Sequence, residues 1–236
     1  MNDISVILPA AGSGTRMKTA ARKQFLSVQG KPLMQHTIDV FKEVSGLREI
    51  IIVHPAGEGE NIKSLLDLNT DIHIIFTPGG ARRQDSVENG LTASSDQSSI
   101  IVIHDAVRPL VKPATIEESV RTARRCGSAL VAIPVTDTIK RVADGRVVET
   151  VERSHLWRAQ TPQVFSRELL SRGFRLIHEQ SRDVTDDCAV VEAVGAVTEI
   201  VTGDEENIKI TTPEDLQLME HILKQRAQAG KREDGE

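Results

Sequence analysis

The chain has 236 residues and mixed charge, 29 Lys+Arg against 34 Asp+Glu, for a formal net of −5. That mild acidic excess argues against a general nucleic-acid binder, which carries a basic face, yet leaves room for a locally basic pocket. Two cysteines, Cys126 and Cys188, without CxxC spacing or a Cys/His cluster, argue against a disulfide framework or a structural zinc site, and no apolar run approaches the ~20 residues that span a bilayer.

The first stretch, ISVIL, reads as a strand and not as the apolar core of a signal peptide, so a soluble, cytoplasmic protein is expected. It leads into PAAGSGTRMKTAARKQF (Pro9–Phe25), where small residues and glycines are followed by Arg16, Lys18, Arg22 and Lys23. Further apolar, β-branched runs follow in EIIIVH, IHIIF, SIIVIH, SALVAIPV and TEIVT. Their near-continuous apolar character is that of strands buried on both faces, as in a parallel sheet. Helical periodicity falls between them, over Leu33–Lys42, Glu60–Leu68, Gln84–Ala93 and Thr115–Cys126. Strand alternating with helix predicts βαβ units and a wound, mostly parallel α/β sheet, whose ligands bind along the strand C-terminal edge.

The alternation stops after Pro134. DTIKRVADGRVVETVERS carries two alternating runs around Asp144-Gly145, a strong hairpin signal. Lys140, Arg141, Arg146, Glu149 and Glu152 leave the hairpin too polar to bury itself, so it is expected to project and pack on something else, most simply a second subunit. In TTPEDLQLMEHILKQR, Thr212 is the expected N-cap, Pro213 the first helical residue, and Glu214 and Asp215 the acidic first turn. The closing AQAGKREDGE is expected to fray. No repeat or linker interrupts the chain. One domain over 1–226, with an arm at about 136–156 and a flexible charged tail over 227–236, is the expected organisation.

A glycine-rich turn after the first strand of such a sheet suits an anion, because backbone N–H groups can approach it closely. It is neither a GxxxxGK[ST] loop nor a GxGxxG fingerprint, since Met17 stands at the third glycine position. Arg16 and Lys23 behind the turn fit a polyphosphate, above all a phosphoryl group gaining charge; a solvated surface loop is the other reading. Three more polar stretches follow predicted strands: GGARRQDSV (Gly79–Val87), IHDAVRPLV (Ile103–Val111) and ENIKITTPED around Lys209. VERSHLWRAQTPQVF (Val151–Phe165) adds Arg153, Arg158, Thr161 and the lone Trp157. The seven histidines show no metal-ligand spacing; His104, beside Asp105, is expected to be structural.

In order, PAAGSGTRM, KQF, GGARRQDSV, HDAVRP, PVTDTIKR, LWRAQTPQVF, TDD and NIKITTPEDL cover nearly the whole chain. Together they resemble the 2-C-methyl-D-erythritol 4-phosphate cytidylyltransferases of the non-mevalonate isoprenoid pathway. The resemblance implies a nucleotide-diphospho-sugar transferase type of α/β domain and a homodimer formed through a projecting β-arm. It implies transfer of CMP from CTP to a sugar-alcohol phosphate with release of pyrophosphate, and a requirement for Mg2+ held mostly by the triphosphate. It casts Arg16, Lys23 and Lys209 as catalytic cations. Ala10, Ala11, Gly12, Gly14, Gly80, Arg83, Ser86 and Asp105 would meet the nucleotide, Asp105 also lying near the metal. Thr138 and Arg153, with Thr161, Thr185 and Asp186, would meet the second substrate, Arg153 in the neighbouring subunit. Two departures stand out: Arg22 where the family often has proline, and Ala81 followed by Arg82 where it has an acidic residue. A ribitol-5-phosphate cytidylyltransferase would share the chemistry, but its first loop typically reads AGGxGxRMG and a tyrosine typically replaces Trp157. A non-catalytic nucleotide-binding protein is the remaining alternative, against which Arg16, Lys23 and Lys209 together speak.

Overall fold

A computed structural model describes residues 2–12 and 23–233. Among these, one sheet of seven strands dominates. It contains β1 (Ile4–Pro9), β4 (Leu47–His54), β5 (His73–Pro78), β6 (Ile100–Ile103), β7 (Ser128–Pro134), β10 (Trp157–Ser166) and β11 (Glu199–Thr202), in the order β11-β7-β10-β6-β1-β4-β5. All pairings are parallel except those of β10, which runs antiparallel to β6 and β7. The short β2 (Ser27–Val28) and β3 (Lys31–Pro32) pair with each other, as do β8 (Ile139–Ala143) and β9 (Arg146–Val151).

The β-branched runs alternate between two covered faces. Val6, Leu8, Ile50, Ile52 and Val102 meet Met34, Ile38 and Phe41 of α1 (Leu33–Lys42), Ile62 of α2 (Gly59–Leu65) and Ile116 and Val120 of α4 (Pro113–Cys126). Ile7, Ile51, Val53, Ile101 and Ile103 meet Val87 and Leu91 of α3 (Arg83–Ala93), Leu170 and Phe174 of α5 (Arg167–Glu179) and Val190 of α6 (Cys188–Glu192). A third cluster seats Met219 and Ile222 of α7 (Pro213–Glu233) on Leu33, Val107, Leu110 and Ile210. Among the described residues, no helix is long and apolar enough to cross a membrane.

The chain steps outward from β1 to β4 and β5, then returns through α3 to β6 on the other side of β1. That reversal opens a crevice between the C-terminal ends of β1 and β6, where open α/β sheets bind ligands. The arm forms as expected: Asp144 (φ 49°) and Gly145 (φ 73°) both adopt the left-handed backbone of a tight hairpin turn. Val142, Val147 and Val148 on it are each more than half exposed.

The polar stretch around Trp157, which the apolar runs do not mark as a strand, opens β10 and pairs with Pro134, and its antiparallel course places Gln160 and Thr161 at the ligand-binding edge. Past residue 227, where the charged tail is expected, α7 continues to Glu233, because Ala, Gln, Lys, Arg and Glu favour helix and no proline stops it.

Close approach of α3 to the sheet depends on Gly90, where an added Cβ would lie 2.6 Å from Ile7 Cγ2 and 3.0 Å from Val53 Cγ2. Gly90→Val should therefore lower unfolding stability by about 1–3 kcal/mol, read by urea denaturation, despite valine's better helix propensity than glycine.

Candidate active site

The loop after β1 begins at Ala10, whose N–H donates to Val53 O at 2.8 Å. Ala11 and Gly12 follow; Gly14 and Arg16 lie outside the described residues, and of Lys23 only the backbone is described, opening a short 3-10 helix over Lys23–Phe25. The buried Gln24 donates from Nε2 to Ala10 O at 2.6 Å, so the segments entering and leaving the loop are held together. The loop after β5 reaches the same place. An added Cβ on Gly79 would lie 2.6 Å from Ala11 Cβ and 2.8 Å from Ser86 Oγ, so only glycine lets the two loops touch. Gly80 N–H donates to Ser86 Oγ at 3.1 Å. Ala10, Ala11, Gly12, Gly80 and Ser86 are thus neighbouring parts of one wall.

The opposite wall is charged. After β6, Asp105 Oδ2 accepts Lys209 Nζ at 3.0 Å and Arg108 Nε at 3.1 Å. Burial alone would raise the Asp105 carboxyl, but Lys209, then Arg108 and Arg83, outweigh it and hold the group far below the ordinary carboxylate range. Asp105 N–H donates to Thr161 Oγ1 at 3.1 Å. The buried His104 fixes the other side of that hydroxyl. Its Nε2 lies 3.0 Å from Arg108 O, which can only accept, so Nε2 carries the proton. Its Nδ1, 3.0 Å from Thr161 Oγ1, then accepts from the hydroxyl. Thr161 therefore spends both its donor and an acceptor position on holding Asp105 and His104. Burial drives the His104 imidazole down to about 4, keeping it neutral, and Phe41 meets it edge-on at 5.0 Å.

Arg83 acts on Asp105 through its charge but makes its direct contacts with another carboxylate. Its two terminal nitrogens grip Asp187 at 2.8 and 2.6 Å in a fork. Asp187 is fully buried, which raises its carboxyl even beside Arg83. Gln163 Oε1 accepts the N–H groups of Asp187 and Cys188, both at 3.0 Å. Gln84 is bonded to Arg182 O and Val184 N, and Arg82 pairs with Asp85 and Asp183. Three successive residues thus staple the 182–187 segment to the start of α3. Thr185 is exposed there, and Asp186 Oδ1 caps Ala189 N–H at 3.1 Å. Thr138 and Arg153 come together at the root of the arm, in a groove with Thr150, Val151 and Glu152; Arg153 donates to Thr136 O. Among the described residues, no hydrogen bond or ion pair links either to the Asp105 cluster.

A sequence profile of the 2-C-methyl-D-erythritol 4-phosphate cytidylyltransferases matches residues 4–225. The chain belongs to this family. It is 42% identical over 229 residues to the protein of that name from Desulforamulus reducens, covering 96% of this chain and 98% of that one. The protein of that name from Alkaliphilus oremlandii is 43% identical, covering 94% and 95%. Among solved structures, the 4-diphosphocytidyl-2C-methyl-D-erythritol synthase of Anaerococcus prevotii superimposes with a TM-score of 0.82 at 29% identity over 94% of this chain and 96% of that one. The 2-C-methyl-D-erythritol 4-phosphate cytidylyltransferase of Thermus thermophilus does so with 0.77 at 30% identity, over 93% and 98%. The expected nucleotidyltransferase fold and enzyme class are therefore those of this chain.

Reading the sequence missed three members of the polar cluster. Arg108 stood in view within HDAVRP but was given no role. Gln160 and Asn207 sit inside quoted motifs, yet their importance lies in long-range partners that spacing does not reveal.

His104 supplies a pH dependence. Its imidazole titrates near 6.5 when unfolded and about 4 when folded, so between these values the unfolded chain binds the extra proton. Its contribution is complete above 6.5 and is lost as pH falls towards 4. Replacing it by a neutral group, in His104→Asn, should flatten the stability-against-pH curve in that window by on the order of 3 kcal/mol, read by denaturant titration at each pH.

Proposed function

We propose that this chain transfers CMP from CTP to 2-C-methyl-D-erythritol 4-phosphate, giving 4-diphosphocytidyl-2-C-methyl-D-erythritol and pyrophosphate. Family membership supports the reaction. The single structural observation carrying it is the Lys209–Asp105–Arg108 cluster facing the Ala10–Gly12 turn across the crevice between β1 and β6.

A phosphate oxygen of the acceptor attacks the α-phosphorus of CTP in line. A new P–O bond forms, the bond to the β-phosphate oxygen breaks, and pyrophosphate leaves with the electron pair. The attacking phosphate is already anionic, so no protein nucleophile is needed. Negative charge grows on the non-bridging α-oxygens and the leaving group, where fixed cations are worth most. Arg16 and Lys23 take that role from the first loop. Lys209, held by Asp105, takes it from the other wall, touching the phosphates of both substrates. Backbone N–H groups of Ala11, Gly12 and Gly14 cradle the triphosphate, and Ala10, its own N–H committed to Val53 O, anchors the turn to the sheet. Gly80 and Ser86 border the base and ribose, and Arg83, its fork engaged by Asp187, holds the 182–187 segment beside them. Thr185 and Asp186 edge the acceptor pocket, with Thr161 behind it.

Mg2+ suits this site as an oxygen-held ion. Among the described residues, no three His, Cys, Asp or Glu side chains gather, and the two cations on Asp105 both lie on Oδ2. Asp105 Oδ1 would be the protein ligand and the triphosphate would supply most of the rest, neutralising charge on the phosphates. The exposed valines of the arm fit burial against a second copy, and Thr138 and Arg153 at its root would then serve the partner's acceptor pocket. A soluble enzyme working in the cytoplasm is the consistent setting.

Purified protein with CTP and Mg2+ should release pyrophosphate with methylerythritol phosphate and not with ribitol 5-phosphate. Release with ribitol 5-phosphate alone would move the acceptor, and silence with both would overturn the proposal. Mixing Lys209→Ala with Arg153→Ala chains tests the shared site. If Arg153 serves the partner, each mixed dimer holds one intact site and roughly a quarter of wild-type activity returns; if it serves its own chain, nothing returns.

A further inference from the structure

Lys209 lies on a segment without regular secondary structure between β11 and α7, so no ladder of hydrogen bonds fixes where its ammonium falls. Two residues earlier, Asn207 is buried and bonded in four directions. Its N–H donates to Asp204 O at 3.1 Å. Its carbonyl accepts Arg108 NH1 at 2.7 Å. Its Nδ2 donates to Gln160 Oε1 at 3.1 Å and to Thr161 O at 2.9 Å. Both side-chain partners are acceptors here, because Gln160 Nε2 is itself committed to Asp204 O at 2.8 Å. The amide orientation is thereby set: Nδ2 must face β10. One step beyond Lys209, Ile210 N–H donates to Val107 O at 2.9 Å.

We propose that Asn207 is a positioning residue that fixes the Lys209 ammonium against Asp105. The residues it grips are the neighbours of that ion pair. Arg108 shares Oδ2 of Asp105 with Lys209, and Thr161 receives the Asp105 N–H. Asn207 therefore ties the Lys209 segment to both flanks of the carboxylate its side chain must meet. Being neutral, it does so without competing for the charge. Its Oδ1 is buried yet takes no hydrogen bond from a described residue. An amide with one unsatisfied end is a poor choice for stability alone, and a good one where two donors must point at fixed acceptors. Gly203 belongs to the same device, since a Cβ there would collide with Gln160 Oε1.

This inference rests on the reading of Lys209 as a catalytic cation, and the test keeps the two apart. Wild type, Asn207→Ala and Lys209→Ala are compared in steady-state kinetics. Lysines are also labelled briefly with an amine-acylating ester and quantified by peptide mass spectrometry, with Lys63, which is about as accessible as Lys209 and likewise ion-paired, as internal reference. In Asn207→Ala, kcat/KM should fall about tenfold to a hundredfold, as expected for a displaced catalytic group. Lys209 labelling should rise several-fold relative to Lys63, because the ammonium is no longer pinned. Unchanged Lys209 labelling would overturn the proposal even if activity fell, and so would unchanged kinetics. Full turnover by Lys209→Ala would instead overturn the role of Lys209, while the labelling still reports its position. If Asn207→Ala does not fold, Gln160→Met removes one acceptor and should shift both readouts in the same direction by less; no shift would sink the idea.

Discussion

An ionised carboxylate taken out of water is held only if cations and hydrogen bonds replace the hydration it loses. Asp105 is buried at the ligand-binding edge and stays charged because Lys209 and Arg108 share its Oδ2, with Arg83 adding to the field. The dependence runs both ways. The carboxylate gives the Lys209 ammonium a defined place in the crevice, and the surrounding polar groups keep the carboxylate fixed. His104, Thr161, Asn207 and Gln160 are each buried. Each bonds to another of the set or to the segments that carry Asp105 and Lys209.

The topology explains why this web lies where it does. Reversal of strand order beside β1 puts the first loop and Asp105 on the two sides of one crevice. Antiparallel β10, inserted between β6 and β7, brings Gln160 and Thr161 to the same edge, which a parallel strand in that register would not do. Glycines at 79 and 203 permit approaches that a Cβ would block. The stapling of residues 182–187 by Arg82, Arg83 and Gln84 then ties the rim beyond α3 to the nucleotide side of the crevice.

The apolar runs, the Asp144-Gly145 turn and the α7 start were legible because their signals are local. Asp215 N–H does donate to Thr212 Oγ1, at 3.3 Å, and Asp215 Oδ2 accepts Thr212 N–H at 2.8 Å. Strand β10 was missed because its first residues are exposed and polar, and β-propensity cannot announce a strand whose partners lie far away in sequence. Lys209 and Asp105 were each singled out through family resemblance, but their ion pair was not legible, since nothing in the spacing of these residues joins them. Asn207 was invisible for the same reason, as its meaning is carried by Gln160, Thr161 and Arg108. The resemblance singled out Arg83, but its commitment to Asp187 was not legible in the sequence.

The most direct measurement is the ionisation of Asp105 itself, followed by the carboxyl 13C shift of labelled aspartate in the folded protein and in Lys209→Met. The account predicts that Asp105 stays ionised while pH falls through the ordinary carboxylate range, and that its titration moves upward when the lysine is removed. An Asp105 that titrates like a surface carboxylate, or that ignores the loss of Lys209, would contradict it.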